Sequence, residues 1–158
     1  MDEDLVIRKA KSEDIKAIQK FRGLLVEYEK EELGNELLNI DWANSKEGEA
    51  STKKYIEEHY CFVATLNGGI VGIITAKISP ERPWFVEKTA ILNNLYVEKE
   101  YREKGIATKL YEKLCLELKR EGITKIELHT MSNNEKAINF YKKLGFESYN
   151  IQMLNKKI

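Results

Sequence analysis

A short apolar run near the start of the chain is followed by apolar residues at intervals of three and four, which predicts a strand followed by a helix. The strand covers Leu5–Arg8, and Ser12 is the predicted N-cap of the helix. The apolar face of this helix consists of Ile15, Ile18, Phe21, Leu25 and Tyr28. Gly34 and Asn35 are expected to end it.

A second helix and a hairpin are predicted in the next segment. The helix covers residues 47–59, and its apolar positions are Ala50, Tyr55 and Ile56. Two apolar runs follow, Tyr60–Leu66 and Ile70–Ile78, separated by Asn67-Gly68-Gly69. Because asparagine and glycine tolerate positive φ, this separation predicts a tight β-hairpin.

A loop, a longer strand and a third helix come next. Two prolines break the chain into a loop that carries Trp84 and Phe85, and the strand pattern returns over residues 88–97. A helix is then predicted over residues 104–120, with Gly122 as its C-terminal stop. Its core-facing positions are Ile106, Leu110, Leu114 and Leu118.

The last part of the chain predicts a strand, a helix and a final strand. Residues Ile123–Thr130 alternate in polarity and predict the first strand. Ser132 or Asn133 would cap a helix that ends at Gly145, and Phe146–Leu154 is predicted as the last strand. No repeat or low-complexity segment interrupts this order.

The order of elements predicts a mixed α/β fold in a single domain over residues 1–158. We expect one mixed, mostly antiparallel sheet with helices on both faces. The sheet should be antiparallel through the hairpin and parallel where the helix over residues 104–120 crosses over to the next strand.

Charge and cysteine content exclude several classes of partner. The chain carries 26 basic and 26 acidic side chains, which removes a chain-wide electrostatic argument for nucleic acid or a membrane surface. Cys61 and Cys115 lack the spacing of a metal or redox pair, so no metal is predicted. The acidic start, Met1–Asp4, lacks the apolar core of a signal peptide, and no run is long enough to span a membrane. We therefore expect a soluble cytoplasmic protein.

The segment Tyr101–Thr108 follows a predicted strand and opens a predicted helix. Helix N-termini carry unsatisfied N–H donors and a partial positive charge, which makes them binding sites for phosphate oxygens. Gly105 would allow close approach of the phosphate, and the small Ala107 would let the helix start against it. Arg102 and Lys104 would add mobile positive charge. The segment alone predicts an anion site without specifying the ligand.

Two segments taken together resemble the GCN5-related N-acetyltransferase (GNAT) family. The run Leu95-Tyr96-Val97 with Tyr101–Ala107 matches the family's Arg/Gln-x-x-Gly-x-Gly/Ala phosphate loop. Residues Asn134–Phe146 match its Asn-x-x-Ala-x-x-x-Tyr helix, which ends in Leu-Gly-Phe. The resemblance covers nearly the whole chain and implies transfer of an acetyl group from acetyl-coenzyme A to an amine. It also implies that the strands carrying Val97 and Ile126 separate to admit the pantetheine arm.

The resemblance implies a coenzyme site in which main-chain groups of the strand bind pantetheine and the loop binds the pyrophosphate. Its residues are Leu95, Tyr96, Val97, Arg102, Glu103, Lys104, Gly105, Ile106, Ala107, Thr108, Asn134 and Tyr141. The position of Asn134 by itself favours a second helix cap beside Asn133, whereas the resemblance makes it a coenzyme contact.

Tyr141 is the candidate catalytic residue. Phe140 and Tyr141 point about 100° apart on a helix, so we expect Phe140 in the core and Tyr141 in the cleft. By resemblance, Tyr141 lies near the coenzyme sulfur and protonates the departing thiolate. A phenol of pKa about 10 suits a hydrogen bond to the thiolate better than full proton donation. A tyrosine that only packs and bonds locally is the alternative.

The base that deprotonates the amine is left open by the sequence. Several branches of the family have a carboxylate just before the Leu-Tyr-Val segment, but this chain has Asn93-Asn94 there, and amides cannot accept that proton. The remaining candidates, acting directly or through water, are Glu87, Glu27, Glu31 and His129.

The acceptor side contains a local excess of acidic residues. Residues 27–49 include eight acids and two lysines, a net charge of −6, and in the family this region borders the acceptor cleft. An acidic wall would attract a cationic amine such as a polyamine, an aminoglycoside-like amine or a basic peptide end, although an ordinary solvated helix surface has the same composition. Trp84 and Phe85 could form a lid on the cleft or a homodimer contact.

Three functional classes remain open at this point. The first is an N-acetyltransferase of small amines, and the second is an acetyltransferase of peptide N-termini or lysines. The third is an acetyl-coenzyme A sensor without catalysis, against which the presence of Tyr141 argues.

Overall fold

The computed structural model describes residues 4–158, and within them the strands and helices follow the predicted order up to the last helix. They are β1 (Leu5–Lys9), α1 (Ile15–Glu31), α2 (Lys46–Glu58), β2 (Tyr60–Leu66), β3 (Gly69–Ile78), β4 (Ala90–Val97), α3 (Ile106–Arg120), β5 (Ile126–Glu127) and α4 (Glu135–Lys143). Single 3-10 turns lie at Ser12–Asp14, Trp42–Asn44 and Lys99–Tyr101. The predicted mixed α/β class is confirmed. Most of the acidic N-terminus, residues 1–3, lies outside the described part of the chain.

The five strands form one sheet in the order β1-β2-β3-β4-β5, antiparallel from β1 to β4 and parallel between β4 and β5. The predicted hairpin joins β2 to β3, and its turn has positive φ at Asn67 (50°) and Gly68 (84°). Two successive positive φ values give a turn whose twist matches that of the strands. The α3 crossover returns the chain parallel to β4, as predicted.

Helices cover both faces of the sheet. On one face α3 buries Ile106, Leu110, Leu114 and Leu118, the four positions predicted from its periodicity. On the other face α1 and α2 bury Ile18, Phe21, Tyr55 and Ile56. Two expectations for these helices were wrong, because Tyr28 and Ala50 are exposed. Helix α2 instead packs through Gly48 and Thr52, where an added Cβ on Gly48 would lie 2.3 Å from the Trp42 and Ala43 carbonyl oxygens.

The start of α1 differs from the prediction. Ser12 does not cap the helix, which is entered through the 3-10 turn instead. The side chain of Asp14 accepts a hydrogen bond from the Lys11 N–H at 2.7 Å and two from Arg8 at 2.7 and 3.0 Å. The carboxylate of Asp14 thus bonds back to the start of the 3-10 turn, and no side chain caps α1 itself.

Two predicted strands are shorter than expected or absent. The strand predicted over Ile123–Thr130 is confined to Ile126–Glu127. The strand predicted over Phe146–Leu154 does not form, and Tyr149, Ile151 and Met153 are about nine-tenths exposed. A strand needs a pairing edge as well as an alternating pattern, and β5 ends too soon to provide a long one. Within the described residues, no helix is both long and apolar enough to cross a bilayer.

Candidate functional site

A gap opens between β4 and β5. The two strands pair only at Ala90↔Ile126 and Ile91↔Glu127, and β4 then continues to Val97 without a partner on that edge. This confirms the separation expected of the strands that carry Val97 and Ile126. Unpaired strand edges present backbone donors and acceptors that can bind an extended ligand.

The ladder between β3 and β4 determines which backbone groups face the gap. The N–H of Glu98, directly after β4, donates to the carbonyl of Val71 at 2.8 Å. This bond places Val97 at a non-hydrogen-bonded position of the antiparallel pair, and Leu95 occupies the same kind of position. The N–H and C=O of Leu95 and Val97 therefore point into the gap, while those of Tyr96 bond to β3.

A β-bulge interrupts β4 at Asn93. Thr75 pairs with Asn94 and Ala76 with Leu92, so Asn93 is an extra residue without a partner on β3. A bulge reverses the alternation of side chains along a strand. As a result Leu92 and Leu95 both face the α3 side of the sheet, whereas the neighbouring Asn94 faces the α1 side.

The loop before α3 contains two residues with left-handed backbone. Glu103 has φ 62° and Gly105 has φ 78°. An added Cβ on Gly105 would meet no protein atom within 4 Å, so within the protein the glycine is favoured by its positive φ rather than by lack of space. Helix α3 has no side-chain cap and no acidic residue in its first turn.

Because α3 is uncapped, the N–H groups of Gly105 and of the first turn, Ile106–Thr108, have no acceptor from the helix itself. In contrast, the side chains of Ser45 and Asn134 cap α2 and α4. The side chain of Ile106 is buried in the core, so only its backbone can contribute to a ligand site. The arrangement suits an anion with several oxygens.

Arg102 is held in place rather than mobile, which corrects the expectation for this side chain. Its Nε donates to the backbone oxygen of Val97 at 2.8 Å, and its guanidinium carbon lies 5.4 Å from the centre of the Tyr96 ring. The two outer guanidinium nitrogens make no hydrogen bond within residues 4–158. The ammonium of Lys104 lies 5.5 Å from the ring of Tyr101 on the same loop.

Tyr141 packs against the core on the α3 side, so the expectation that Phe140 would fill this core position was wrong. Phe140 is half-buried, and its ring lies 5.3 Å from that of Tyr141. The Tyr141 ring lies 5.4 Å from that of Phe146, and the Phe146 ring lies 5.8 Å from that of Tyr111. Burial in this aromatic cluster raises the pKa of Tyr141 to about 12. The phenol therefore stays protonated at neutral pH and can act as a hydrogen-bond donor.

Asn134 is the N-cap of α4, as its position in the sequence favoured. Its Oδ1 accepts from the N–H of Ala137 at 3.3 Å, so neither Ser132 nor Asn133 is the cap. Asn133 instead donates from Nδ2 to the carbonyl of Leu33 at 3.0 Å. This bond links the start of α4 to the segment between α1 and α2.

The candidate bases lie in different places. Glu27 and Glu31 are exposed on α1, and His129 is exposed just beyond β5. Glu87 forms an ion pair with Lys125 before the start of β4, at the closed end of the strand pair. Within residues 4–158, none of these four side chains forms a hydrogen bond or an ion pair with the bulge of β4 at Asn93.

Two polar clusters were missed by sequence reasoning. Arg82 pairs with Glu127 at 2.9 and 3.2 Å and lies 4.0 Å from the Phe85 ring, and these bonds lower the pKa of Glu127 below its usual range. This cluster ties the loop of residues 79–89 to β5, while Trp84 stays 76% exposed. The second cluster pairs Thr75 with Asn94 at 2.8 Å. Its only signal in the sequence is a threonine inside an apolar strand.

Comparison with known proteins identifies the family of this fold. The sequence model of the Acetyltransferase (GNAT) family matches residues 25–146. The chain therefore belongs to that family, and the predicted resemblance is confirmed. No group of three or more His, Cys, Asp or Glu side chains in residues 4–158 is arranged to hold a metal ion.

Relatives in the family act on different kinds of amine, as their names state. N-alpha-acetyltransferase 30 of Schizosaccharomyces pombe is 36% identical over 90 residues, which cover 57% of this chain and 59% of that protein. Uncharacterized N-acetyltransferase MJ1207 of Methanocaldococcus jannaschii is 33% identical over 95 residues, or 58% of this chain and 40% of that protein. The chain thus spans about half the length of these two relatives. Thialysine N-epsilon-acetyltransferase of Bos taurus is 27% identical over 154 residues, covering 89% and 83% of the two chains.

Solved structures confirm the fold. The aminoglycoside N-acetyltransferase AAC(6')-Iy in complex with CoA has a TM-score of 0.75 at 17% identity, covering 99% of this chain and 97% of that one. A mutant of the BH1408 protein from Bacillus halodurans has a TM-score of 0.80 at 21% identity, covering 97% and 99%. At these identities the likeness establishes the fold alone.

Proposed function

We propose that the protein is an acetyl-coenzyme A-dependent N-acetyltransferase. The observation that carries the proposal is the continuity between the open edge of β4 and the uncapped N-terminus of α3. The chain passes from the inward-facing backbone of Leu95 and Val97 directly into the left-handed loop at Gly105. Pantetheine amides can pair with the strand edge while the attached pyrophosphate meets the helix end.

The residues fit such a co-substrate in their chemistry. The N–H groups from Gly105 to Thr108 would bind pyrophosphate oxygens, with the outer nitrogens of Arg102 beside them. The backbone of Leu95 and Val97 would bind the pantetheine arm. Asn134 would contribute its Nδ2, because its Oδ1 is engaged in capping α4.

The proposed reaction begins when a neutral amine attacks the thioester. The amine nitrogen forms a bond to the carbonyl carbon, the carbon–sulfur bond breaks, and the proton of the amine leaves to water or a base. An amine of pKa about 10.4 requires about 4.6 kcal/mol to become neutral at pH 7. Tyr141 would stabilise the departing thiolate by a hydrogen bond, since a phenol with a pKa of about 12 does not readily give up its proton completely.

For the acceptor we favour a small cationic amine, such as a polyamine or an aminoglycoside-like amine. The support is the acidic segment of residues 27–49, whose Glu27, Glu31 and Asp41 are exposed. The segment is tied to the start of α4 through the Asn133–Leu33 hydrogen bond. A peptide N-terminus or lysine is the second candidate, favoured by the name of the relative from Schizosaccharomyces pombe.

An assay of thiol release from acetyl-coenzyme A tests both candidates. Turnover with free polyamines or aminoglycosides would support the first, and turnover confined to peptides would reject it in favour of the second. Tight binding of coenzyme A by calorimetry without turnover on either panel would leave a sensor and overturn the catalytic proposal. Absence of coenzyme binding would overturn the assignment of the α3 loop.

A further inference from the structure

The buried hydroxyl of Thr75 holds the side-chain amide of Asn94 at the bulge of β4. Thr75 is fully buried, and its Oγ1 lies 2.8 Å from Asn94 Oδ1. Within residues 4–158, the Thr75 hydroxyl makes this hydrogen bond and no other. The pair joins β3 to β4 beside the unpaired Asn93.

Hydrogen-bond chemistry determines which way the amide points. If the amide were reversed, Thr75 would accept from Nδ2 and its own proton would be left without an acceptor in a fully buried place. An unpaired buried donor costs about 1–3 kcal/mol, and it is rarer in proteins than an acceptor with a spare lone pair. The orientation with Thr75 donating to Oδ1 is therefore the stable one.

This orientation leaves the two N–H donors of Asn94 free. Nδ2 makes no hydrogen bond within residues 4–158, and it is not among the enclosed polar atoms that lack a partner. The side chain projects on the α1 side of the sheet, where Tyr96 packs on Phe21 with ring centres 5.0 Å apart. Tyr141 and the α3 loop lie on the opposite side or at the end of β4.

We propose that Asn94, positioned by Thr75, binds an oxygen atom of the acceptor next to its reacting amine. The inference rests on the proposed function, in which Tyr141 on the α3 side stabilises the departing thiolate, so that the α1 side of β4 is left for the acceptor. A pair of N–H donors beside the bulge favours a carbonyl or hydroxyl oxygen and offers nothing to an ammonium. The acceptor class is then an amino alcohol, an amino sugar or a peptide N-terminus, rather than an unsubstituted polyamine.

A matched pair of substrates tests this selection. 2-Methoxyethylamine and n-butylamine differ by an ether oxygen in place of one methylene group, and because an ether oxygen accepts but cannot donate, a carboxylate cannot replace the contact. Their kcat/KM ratio is measured for each variant so that intrinsic amine reactivity cancels. Asn94→Asp keeps an oxygen for Thr75 and replaces the two donors by an acceptor. We expect it to lower the ratio about 10-fold, the effect of one lost hydrogen bond to substrate.

Substitutions of Thr75 test the positioning role. Thr75→Val conserves shape and removes the hydroxyl, and we expect it to lower the same ratio, whereas Thr75→Ser should retain it. Coenzyme A affinity by calorimetry should be unchanged in all three variants. A ratio unchanged in Asn94→Asp would overturn the role of Asn94, and equal ratios in Thr75→Val and Thr75→Ser would overturn that of Thr75. If the wild-type protein binds coenzyme A and acetylates neither these two amines nor any member of the polyamine, aminoglycoside and peptide panels, the proposed function fails and the inference falls with it.

Discussion

The Nε of Arg102 donates a hydrogen bond to the backbone oxygen of Val97 at 2.8 Å, which ties the loop before α3 back to the end of β4. Val97 is one of the two residues whose backbone faces the gap between β4 and β5. The bond satisfies that carbonyl and leaves the N–H of Val97 for a ligand. The side chain of Arg102 thus links the proposed pyrophosphate and pantetheine sites.

Replacing Arg102 by lysine should weaken coenzyme binding. Lysine keeps the charge but cannot donate to Val97 and present further donors to a phosphate at the same time. We expect the Kd of coenzyme A by calorimetry to rise about 10-fold, the effect of about 1.4 kcal/mol. Lys99→Arg, a conservative exchange in the adjacent turn, is the control and should leave Kd unchanged. Equal Kd values in Arg102→Lys and the wild type would contradict the linking role.

Gly105→Glu should abolish detectable coenzyme binding, because it places a negative side chain at the helix N-terminus. The same substitution at Gly122 is a matched control, since φ is 75° there and 78° at Gly105. Both variants should lose about 1–2 kcal/mol of stability from left-handed backbone strain. Only Gly105→Glu should lose calorimetric binding. Equal loss of binding in both would mean that destabilisation, and not the phosphate site, is responsible.

Tyr141→Phe should lower kcat by about 10- to 100-fold and leave coenzyme affinity nearly unchanged, because the hydroxyl would act on the departing thiolate. Tyr111→Phe, in the same aromatic cluster, is the control. Since the pKa of Tyr141 is about 12, wild-type kcat should not fall through ionisation of this phenol between pH 7 and about 10. Equal kcat in wild type and Tyr141→Phe would remove this residue from the mechanism.

The Arg8–Asp14 pair should make stability fall in acid. Its hydrogen bonds lower the pKa of Asp14 below the ordinary value of 3.8, so the unfolded chain takes up this proton first as the pH falls. The stabilisation is complete above the ordinary pKa and is lost as the pH falls through the native one. Asp14→Asn should cost about 2 kcal/mol at pH 7, and the difference from wild type in urea unfolding should shrink below pH 4. Glu13→Asn, at an exposed neighbour, should show a much smaller effect.

Deleting residues 148–158 should leave the stability of the fold nearly unchanged. The large apolar side chains there, including Tyr149 and Ile151, are exposed, and the Lys156–Glu36 ion pair joins two exposed groups. Exposed pairs contribute at most about 1 kcal/mol. We expect Tm to change by less than about 5 °C in a thermal scan. A larger decrease would show that this segment packs on the domain in solution.

Local patterns predicted much of the fold because their causes are local. The hairpin turn depends on the positive φ of Asn67 and Gly68, and the helix over residues 106–120 depends on four leucine and isoleucine positions. Within the predicted strand Phe146–Leu154, residues 149–153 alternate between apolar and polar side chains, but the segment has no strand partner. Alternation describes the faces of a strand, and pairing requires another part of the chain.

Some features of the proposed site could likewise be predicted from local sequence, and others could not. The glycine loop before α3 and the cap at Asn134 could be predicted from neighbouring residues. The packing of Tyr141, rather than Phe140, against the core could not, because adjacent aromatic residues on a short helix are distinguished only by what α3 and Phe146 present to them. The orientation of Asn94 likewise depends on Thr75, which lies on another strand.

The sequence by itself determined the order of elements from β1 to α4, the glycine loop before α3 and the resemblance to an acetyltransferase family, since each depends on residues close together in the chain. Only the tertiary structure decided that the bulge lies at Asn93, that the backbone N–H and C=O groups of Leu95 and Val97 face the gap, and that β5 ends after Glu127. These features are set by strand register. Register depends on long-range pairing and on the burial of whole faces, which short-range spacing does not encode.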